Sequence, residues 1–225
     1  MSYRGQEIEP PVRVSGAAGA AVFLVGAADA QDTIAYSGLD IVELPGGRAA
    51  CALFFVDYLG GVLGRYHEFG VGFLARSPGG RRPGVHIHRL PVDGSRTLAA
   101  GRRIWGFPKT MADIDLRRST PYQRCIVHQE GRLVIDMLLK PGLPVPAPGA
   151  RVPLTAFSHL NGATRRIRWD MAPYGIRGRP GGALLRLGDH PIAAELRGLG
   201  LPGSAAAVTT MRHVAMTFHE AETIG

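Results

Sequence analysis

Residues 50–76 read "ACALFFVDYLGGVLGRYHEFGVGFLAR", two segments of strand length separated by a glycine-rich break. The first is a nearly continuous apolar run that ends on Gly60 and Gly61. In the second, Tyr66, Glu68 and Val71 are spaced loosely by two. Short apolar runs bounded by glycine read as strands. The same pattern recurs outward along the chain. "GVHIHRL" (84–90) alternates Val85, Ile87 and Arg89 against His86, His88 and Leu90. "RCIVHQEGRLVIDMLL" (124–139) reads as a hairpin, with Glu130-Gly131 turning between two β-branched runs. "VTTMRHVAMTFHEAETI" (208–224) supplies a final strand or pair of strands. Seven or more strands in a chain with 31 glycines favour an antiparallel barrel or sandwich over alternating βαβ units.

Helical patterning is sparse. The best candidate is Pro191–Leu199, with Asp189 expected as its cap, Pro191 in its first turn, and Gly198 or Gly200 with Pro202 as its stop. "KPGLPVPAPGARVP" (140–153) reads as an extended connector. No internal repeat or domain boundary is visible, so residues 1–225 are expected to form a single mainly-β domain with few helices.

Composition narrows the function classes. With 45% hydrophobic and 20% charged residues, the chain is ordinary globular material. The net charge of +8 would permit nucleic-acid binding, but the arginines fall in scattered pairs. No recognition helix, zinc spacing or aromatic RNA-binding box accompanies them, so no nucleic-acid partner is expected. Cys51 and Cys125 lie in apolar strand-like runs and read as buried, inert thiols. "GAAGAAVFLVGAADA" (16–30) resembles a short signal-peptide core ending in an Ala-Asp-Ala cleavage site. Glu7, Glu9 and two prolines precede it, however, which is the wrong charge for a leader. The run is also too short to span a bilayer, so the expectation is a cytoplasmic protein without a membrane partner.

One residue stands out in "GRRIWGFPKTMADID" (101–115). Of 26 basic side chains, only Lys109 and Lys140 are lysines; the other 24 are arginines. Arginine never gives up its proton in proteins, whereas lysine can act as a free amine. An unperturbed lysine is free in only about one molecule in two thousand at neutral pH, so amine chemistry needs a water-poor setting. Trp105, Phe107 and Met111 around the Pro108 bend would supply one.

"LAAGRRIWGFPKTMADI" resembles the Schiff-base segment of the acetoacetate decarboxylase family, whose motif runs Gly-Arg-Glu and then, a few residues on, Pro-Lys-Lys. "GRYHEFGVGF" resembles that family's Tyr-x-Glu strand, and "GDHPIAAELRGLGLP" its C-terminal helix in actinobacterial-type members. The resemblance implies an antiparallel β-barrel core with a few peripheral helices, assembled as a homo-oligomer and needing no cofactor. It makes Lys109 the imine-forming nucleophile and Glu68 the pocket carboxylate acting as general acid/base. Tyr66 becomes a hydrogen-bond donor to substrate, Trp105, Phe107 and Met111 an apolar wall, and Arg102 a clamp for a substrate carboxylate. The implied partner is a small keto acid. Decarboxylation of a β-keto acid is the default reaction, and an aldolase or dehydratase acting on a pyruvate-like substrate is the alternative.

Three positions depart from the pattern. Thr110 replaces the second lysine, Arg103 stands where the family has Glu, and an ungapped count puts the family's other pocket glutamate on Leu53. Those losses keep open a catalytically silent binding protein on the same barrel. A metal site is the competing chemistry. His86, His88 and Asp93 in "HIHRLPVD" have a cupin-like interval, but cupins carry Glu at the third place and add a further His from a second motif. No such motif follows, and no metal is expected. His128, His213 and His219 offer no partner spacing.

Overall fold

The computed structural model describes residues 2–3, 6–119, 121–146 and 151–224, with side chains from Ile8 onward. The chain runs β1 (Val12–Gly26), α1 (Ala27–Ile34), β2 (Arg48–Gly61), β3 (Tyr66–Arg76) and β4 (Gly84–Val92). Next come α2 (Ser95–Trp105), β5 (Lys109–Met111), β6 (Asp113–Arg117), β7 (Gln123–Gln129) and β8 (Arg132–Leu139). The last elements are β9 (Val152–Leu160), β10 (Ala163–Pro180), β11 (Ala183–Leu187), α3 (Pro191–Gly198) and β12 (Ala207–Thr223).

Seven strands close a barrel in the order β3-β2-β1-β12-β10-β9-β4, with β4 returning to pair with β3. The predicted barrel is therefore present. One correction applies: the β9–β4 seam is parallel, so the barrel is mixed. Strand β5 also adds to β4 in parallel, setting Leu90 opposite Lys109. Parallel neighbours need a crossover, and α2 provides it between β4 and β5.

Two cores result from the period-2 alternation of strands. Along β2, Ala49, Cys51, Leu53 and Phe55 point outward into a core shared with the second sheet, β11-β8-β7-β6. Val56 and Tyr58 belong to the other core, inside the barrel, where Phe54 packs against them. Leu53, where the count put a pocket glutamate, thus faces away from the barrel interior and is fully buried between sheets. Both cysteines are buried in that outer core, and burial pushes the Cys51 thiol up to about 12 and Cys125 higher still.

Several expectations are met locally. Glu130 and Gly131 make the β7–β8 turn with φ of 54° and 72°. Residues 207–223 form one long strand rather than a pair. Residues 16–30, which looked like a leader core, form most of β1 and the first turn of α1. Of the proline-rich connector, Leu143 and Pro144 pair with β10, while 147–150 lie outside the described residues. The cap of α3 is corrected by one residue: His190, not Asp189, accepts from the Ile192 amide at 3.2 Å. Helix α2 was not legible as such, because its sequence "SRTLAAGRRIW" carries two glycines or serines and a short apolar face. Among the described residues no helix is long and apolar enough to cross a membrane.

Candidate active site

Helix α2 crosses the barrel mouth and carries Thr97 and Gly101 one turn apart on the face that meets Lys109. Gly106, in the left-handed conformation (φ 63°), ends the helix, and its amide bonds back to Arg102. The chain then bends through Pro108 so that β5 begins at Lys109. The lysine stem lies directly on Gly101. A Cβ at that position would sit 2.7 Å from Lys109 Cε and 2.8 Å from Cδ, so any larger residue would make the lysine stem shift from this path.

Lys109 is 4% exposed and Glu68 5%. Nζ donates to Thr97 Oγ1 at 2.7 Å, stands 2.8 Å from Glu68 Oε2, and lies 5.1 Å from the Tyr66 ring centroid. A buried ammonium survives only when paired and hydrogen-bonded, and these contacts meet that requirement. The Glu68 approach is an ion pair without hydrogen-bond alignment, so Oε2 keeps an unused acceptor position. The other oxygen, Oε1, accepts from the Tyr58 hydroxyl at 3.1 Å, and Tyr58 stacks on Tyr66 at 4.3 Å. Burial, and then the Glu68 charge, push both phenols well above their usual value, so both remain protonated donors.

These groups cluster at one side of a cavity of about 260 Å³ inside the barrel. Trp105 and Phe107 line it as expected, the Trp105 indole N–H being tied to the His219 carbonyl at 2.8 Å. Phe54, Trp169, Met211 and Phe218 complete its apolar walls. Two expected residues are not there. Met111 shares a strand face with Lys109 by alternation, yet at the end of β5 it is 46% exposed and does not line the cavity. Arg102 donates to the Lys109 carbonyl at 3.1 Å, bracing the strand start instead of reaching the cavity. Tyr58, Thr97 and Gly101 were missed as site residues. Gly101 was visible as the glycine of the lysine motif, whereas Tyr58 and Thr97 carry no local signal.

Residues 1–223 match the acetoacetate decarboxylase (ADC) family. The chain belongs to that family. No curated protein matches it in sequence. Among solved structures, the enduracididine biosynthesis enzyme MppR complexed with pyruvate superposes with a TM-score of 0.74 at 16% identity, covering 97% of this chain and 92% of its own. The acetoacetate decarboxylase of Legionella pneumophila gives 0.69 at 16% identity, covering 96% and 88%. An acetoacetate decarboxylase-like enzyme from Sphingomonas wittichii gives 0.70 at 15% identity, covering 100% and 98%. At these identities the likeness is one of fold.

Within this acetoacetate decarboxylase-like barrel, Thr110 and Arg103 do not line the cavity, so their departures from the family motif lie outside its walls. The metal triad does not assemble either. Asp93 turns to His67, holding its Nδ1 at 2.7 Å and accepting from its backbone amide. His86 and His88 instead share the Tyr36 hydroxyl, at 3.1 and 2.8 Å, and His88 Nε2 reaches Glu195 Oε1 at 2.7 Å. Among the described residues no three metal-ligating side chains converge. His219 finds Asp170 at 2.8 Å across the β10–β12 pair, a partner that no spacing suggested.

The His86–Tyr36–His88–Glu195 chain ties the turn after α1 (Ala35–Ser37) and α3 to the barrel wall. Burial, then the neighbouring His88 and His159, lower His86 to about 3. Burial opposes ionisation of Glu195, but bonds from His88 and Arg89 outweigh it and hold the carboxyl at about 2. Both groups have depressed folded values, so their stabilisation is lost as pH falls: for His86 from 6.5 toward 3, for Glu195 from 4.5 toward 2. Thermal melts should therefore be flat in these groups above pH 6.5 and fall steadily below it. Glu195→Gln should lower the melting point at neutral pH and flatten the slope below pH 4.5. An unchanged slope would remove Glu195 from this role.

The packing of Gly101 makes a second prediction. Gly101→Ala should slow reductive alkylation of Lys109 by about tenfold, read by peptide mass spectrometry, with Lys140 as the unchanged internal reference. Equal rates in both proteins would mean that the lysine stem has another path.

Proposed function

We propose that this protein is a lyase that acts on a keto acid through an imine on Lys109, with decarboxylation of a β-keto acid as its reaction. The observation that carries this is a buried amine 2.8 Å from a buried carboxylate, both facing an apolar cavity. The neutral amine arises when Glu68 takes the Lys109 proton. Nζ attacks the ketone carbon, water leaves, and the resulting protonated imine withdraws electrons. The bond to the carboxylate carbon then breaks, its electron pair moves toward the imine nitrogen, carbon dioxide departs and an enamine remains. Glu68, which gave the Lys109 proton to the departing water, takes another from solvent and delivers it to the enamine carbon, and water hydrolyses the imine to free Lys109. Tyr58 and Tyr66 hold Glu68 and the carbonyl oxygen as neutral donors. The apolar walls favour loss of a charged carboxylate as a neutral gas.

A second reading uses the same imine. Glu68 Oε2, with its unused acceptor position, could remove a proton beside the carbonyl of a pyruvate-like substrate and start an aldol condensation and dehydration. The fold-level likeness to MppR supports it.

Incubation with acetoacetate, and separately with pyruvate, followed by borohydride and peptide mapping, tests both. A stoichiometric adduct on Lys109, absent in Lys109→Ala, is expected, and its mass names the substrate class. Glu68→Gln removes the counter-charge of Lys109, so it is read with a thermal melt beside it, and it should lower turnover of the folded fraction by about 10²–10⁴. Because Lys109→Ala strands a buried carboxylate, a change costing about 3–5 kcal/mol, the Lys109→Ala/Glu68→Gln double variant provides the folded control. Absence of adduct across a panel of keto acids would leave the silent binding protein as the better account.

The same reading places the protein in the cytoplasm as a homo-oligomer. Leu143, Tyr174 and Leu184 are 76%, 59% and 55% exposed, large apolar side chains that a second copy of the chain would cover. Light scattering should give a multiple of the chain mass; a monomer would end that part of the proposal.

A further inference from the structure

The ionisable side chains of the cavity lie at one side; the rest of its lining is apolar but for the Thr209 hydroxyl and the Trp169 indole N–H, which has no hydrogen-bond partner among the described residues. Lys109, Glu68, Tyr58 and Tyr66 gather where β5 meets β4, beside Leu90. From there the cavity continues along β4 to Val85, five residues away, a distance of about 16 Å at ~3.3 Å per residue. Ala52, Phe54, Leu154, Trp169 and Met211 line that stretch. Apart from Lys109, no Arg or Lys among the described residues lines the cavity. Arg102, the one expected clamp, is spent on the Lys109 carbonyl.

A three- or four-carbon keto acid bound at Lys109 would leave most of the ~260 Å³ empty, when one water's share of the liquid is about 30 Å³. It would also have no second cation to grip its carboxylate. Unfilled apolar space and a missing anion clamp point the same way, since binding must then come from apolar contact.

We infer that the cavity selects a carbonyl substrate with an extended apolar tail, a medium-chain or aryl β-keto acid, in preference to acetoacetate or pyruvate. The inference rests on the imine reading only for where the carbonyl sits; the tail site is a property of the barrel walls. The tail lies along β4 toward Val85 and Ala52, with the ketone carbon at Lys109 Nζ and the carboxylate beside Glu68 and the two phenols.

Both tryptophans of the chain, Trp105 and Trp169, line the cavity, so intrinsic fluorescence reports its occupancy. Neutral 2-alkanones, titrated into the wild-type protein and into Lys109→Met/Glu68→Gln, which strands no buried charge, measure tail binding without any carboxylate. Each added methylene should tighten binding about threefold to fourfold, so 2-nonanone should bind on the order of thirty- to sixtyfold more tightly than 2-hexanone. The slope should persist in Lys109→Met/Glu68→Gln and flatten in Ala52→Phe, which fills the tail end. In parallel, borohydride trapping on the wild type compares 3-oxononanoate with acetoacetate and pyruvate.

A steep slope with preferential trapping of the long acid supports both readings. A steep slope with no adduct supports the tail site and ends the imine mechanism. A flat slope with efficient acetoacetate or pyruvate adducts on Lys109 keeps the imine and overturns this inference. A flat slope with no adduct overturns both.

Discussion

Everything in this molecule is arranged around the burial of one ammonium group in an apolar barrel. Such a charge is tolerated only with a close counter-charge and filled hydrogen bonds. Glu68 supplies the first and Thr97 the second, while Tyr58 holds the carboxylate by its other oxygen. Each of these comes from a different element, so the full set of contacts forms only after β2, β3, β5 and α2 have met. Chemistry and folding share the same few contacts.

That requirement accounts for one of the two parallel pairings, the addition of β5 to β4 beside the barrel's own parallel β9–β4 seam. An all-antiparallel ring could be closed by hairpins, and no helix would have to cross the mouth. The parallel addition of β5 to β4 obliges the chain to cross over, and the crossover is α2. The helix brings Thr97 and Gly101 over the cavity and delivers the lysine on the next strand. Gly101 accepts the helix-interior penalty of glycine, about 0.5–1 kcal/mol, because a methyl group there would occupy the lysine's path.

The outer core is separate from this business. Leu53, Phe55 and Phe73 pack against the second sheet, and they do so by the same alternation that sends Phe54 and Tyr58 inward. A strand that presents one face to each core can line the cavity with one side while its other side holds the fold. The His86–Tyr36–His88–Glu195 chain does for the helices what apolar packing does for the sheet, and it brings a dependence on pH that apolar packing lacks.

Much of this was legible in the chain itself. Glycine-bounded apolar runs such as 50–61 and 66–76 spell strands because alternation and turn chemistry are local properties, and the hairpin at Glu130-Gly131 is read from two residues. Lys109 stood out because lysine is so rare here, and Glu68 because it sits in a recognisable strand beside Tyr66. What the sequence could not express was direction and distance. Lys109 and Met111 share a strand face by alternation, and only the assembled barrel shows that the first lines the cavity while the second is exposed. Arg102's partner likewise depends on a bend that no propensity records. Thr97, Tyr58 and the His219–Asp170 pair are brought together by ring closure, across separations of tens of residues. The sequence by itself determined the strands, the glycine punctuation and the unusual amine. Only the tertiary structure decided which faces turn inward, because a period of two leaves each strand two equal choices until a neighbouring strand buries one of them.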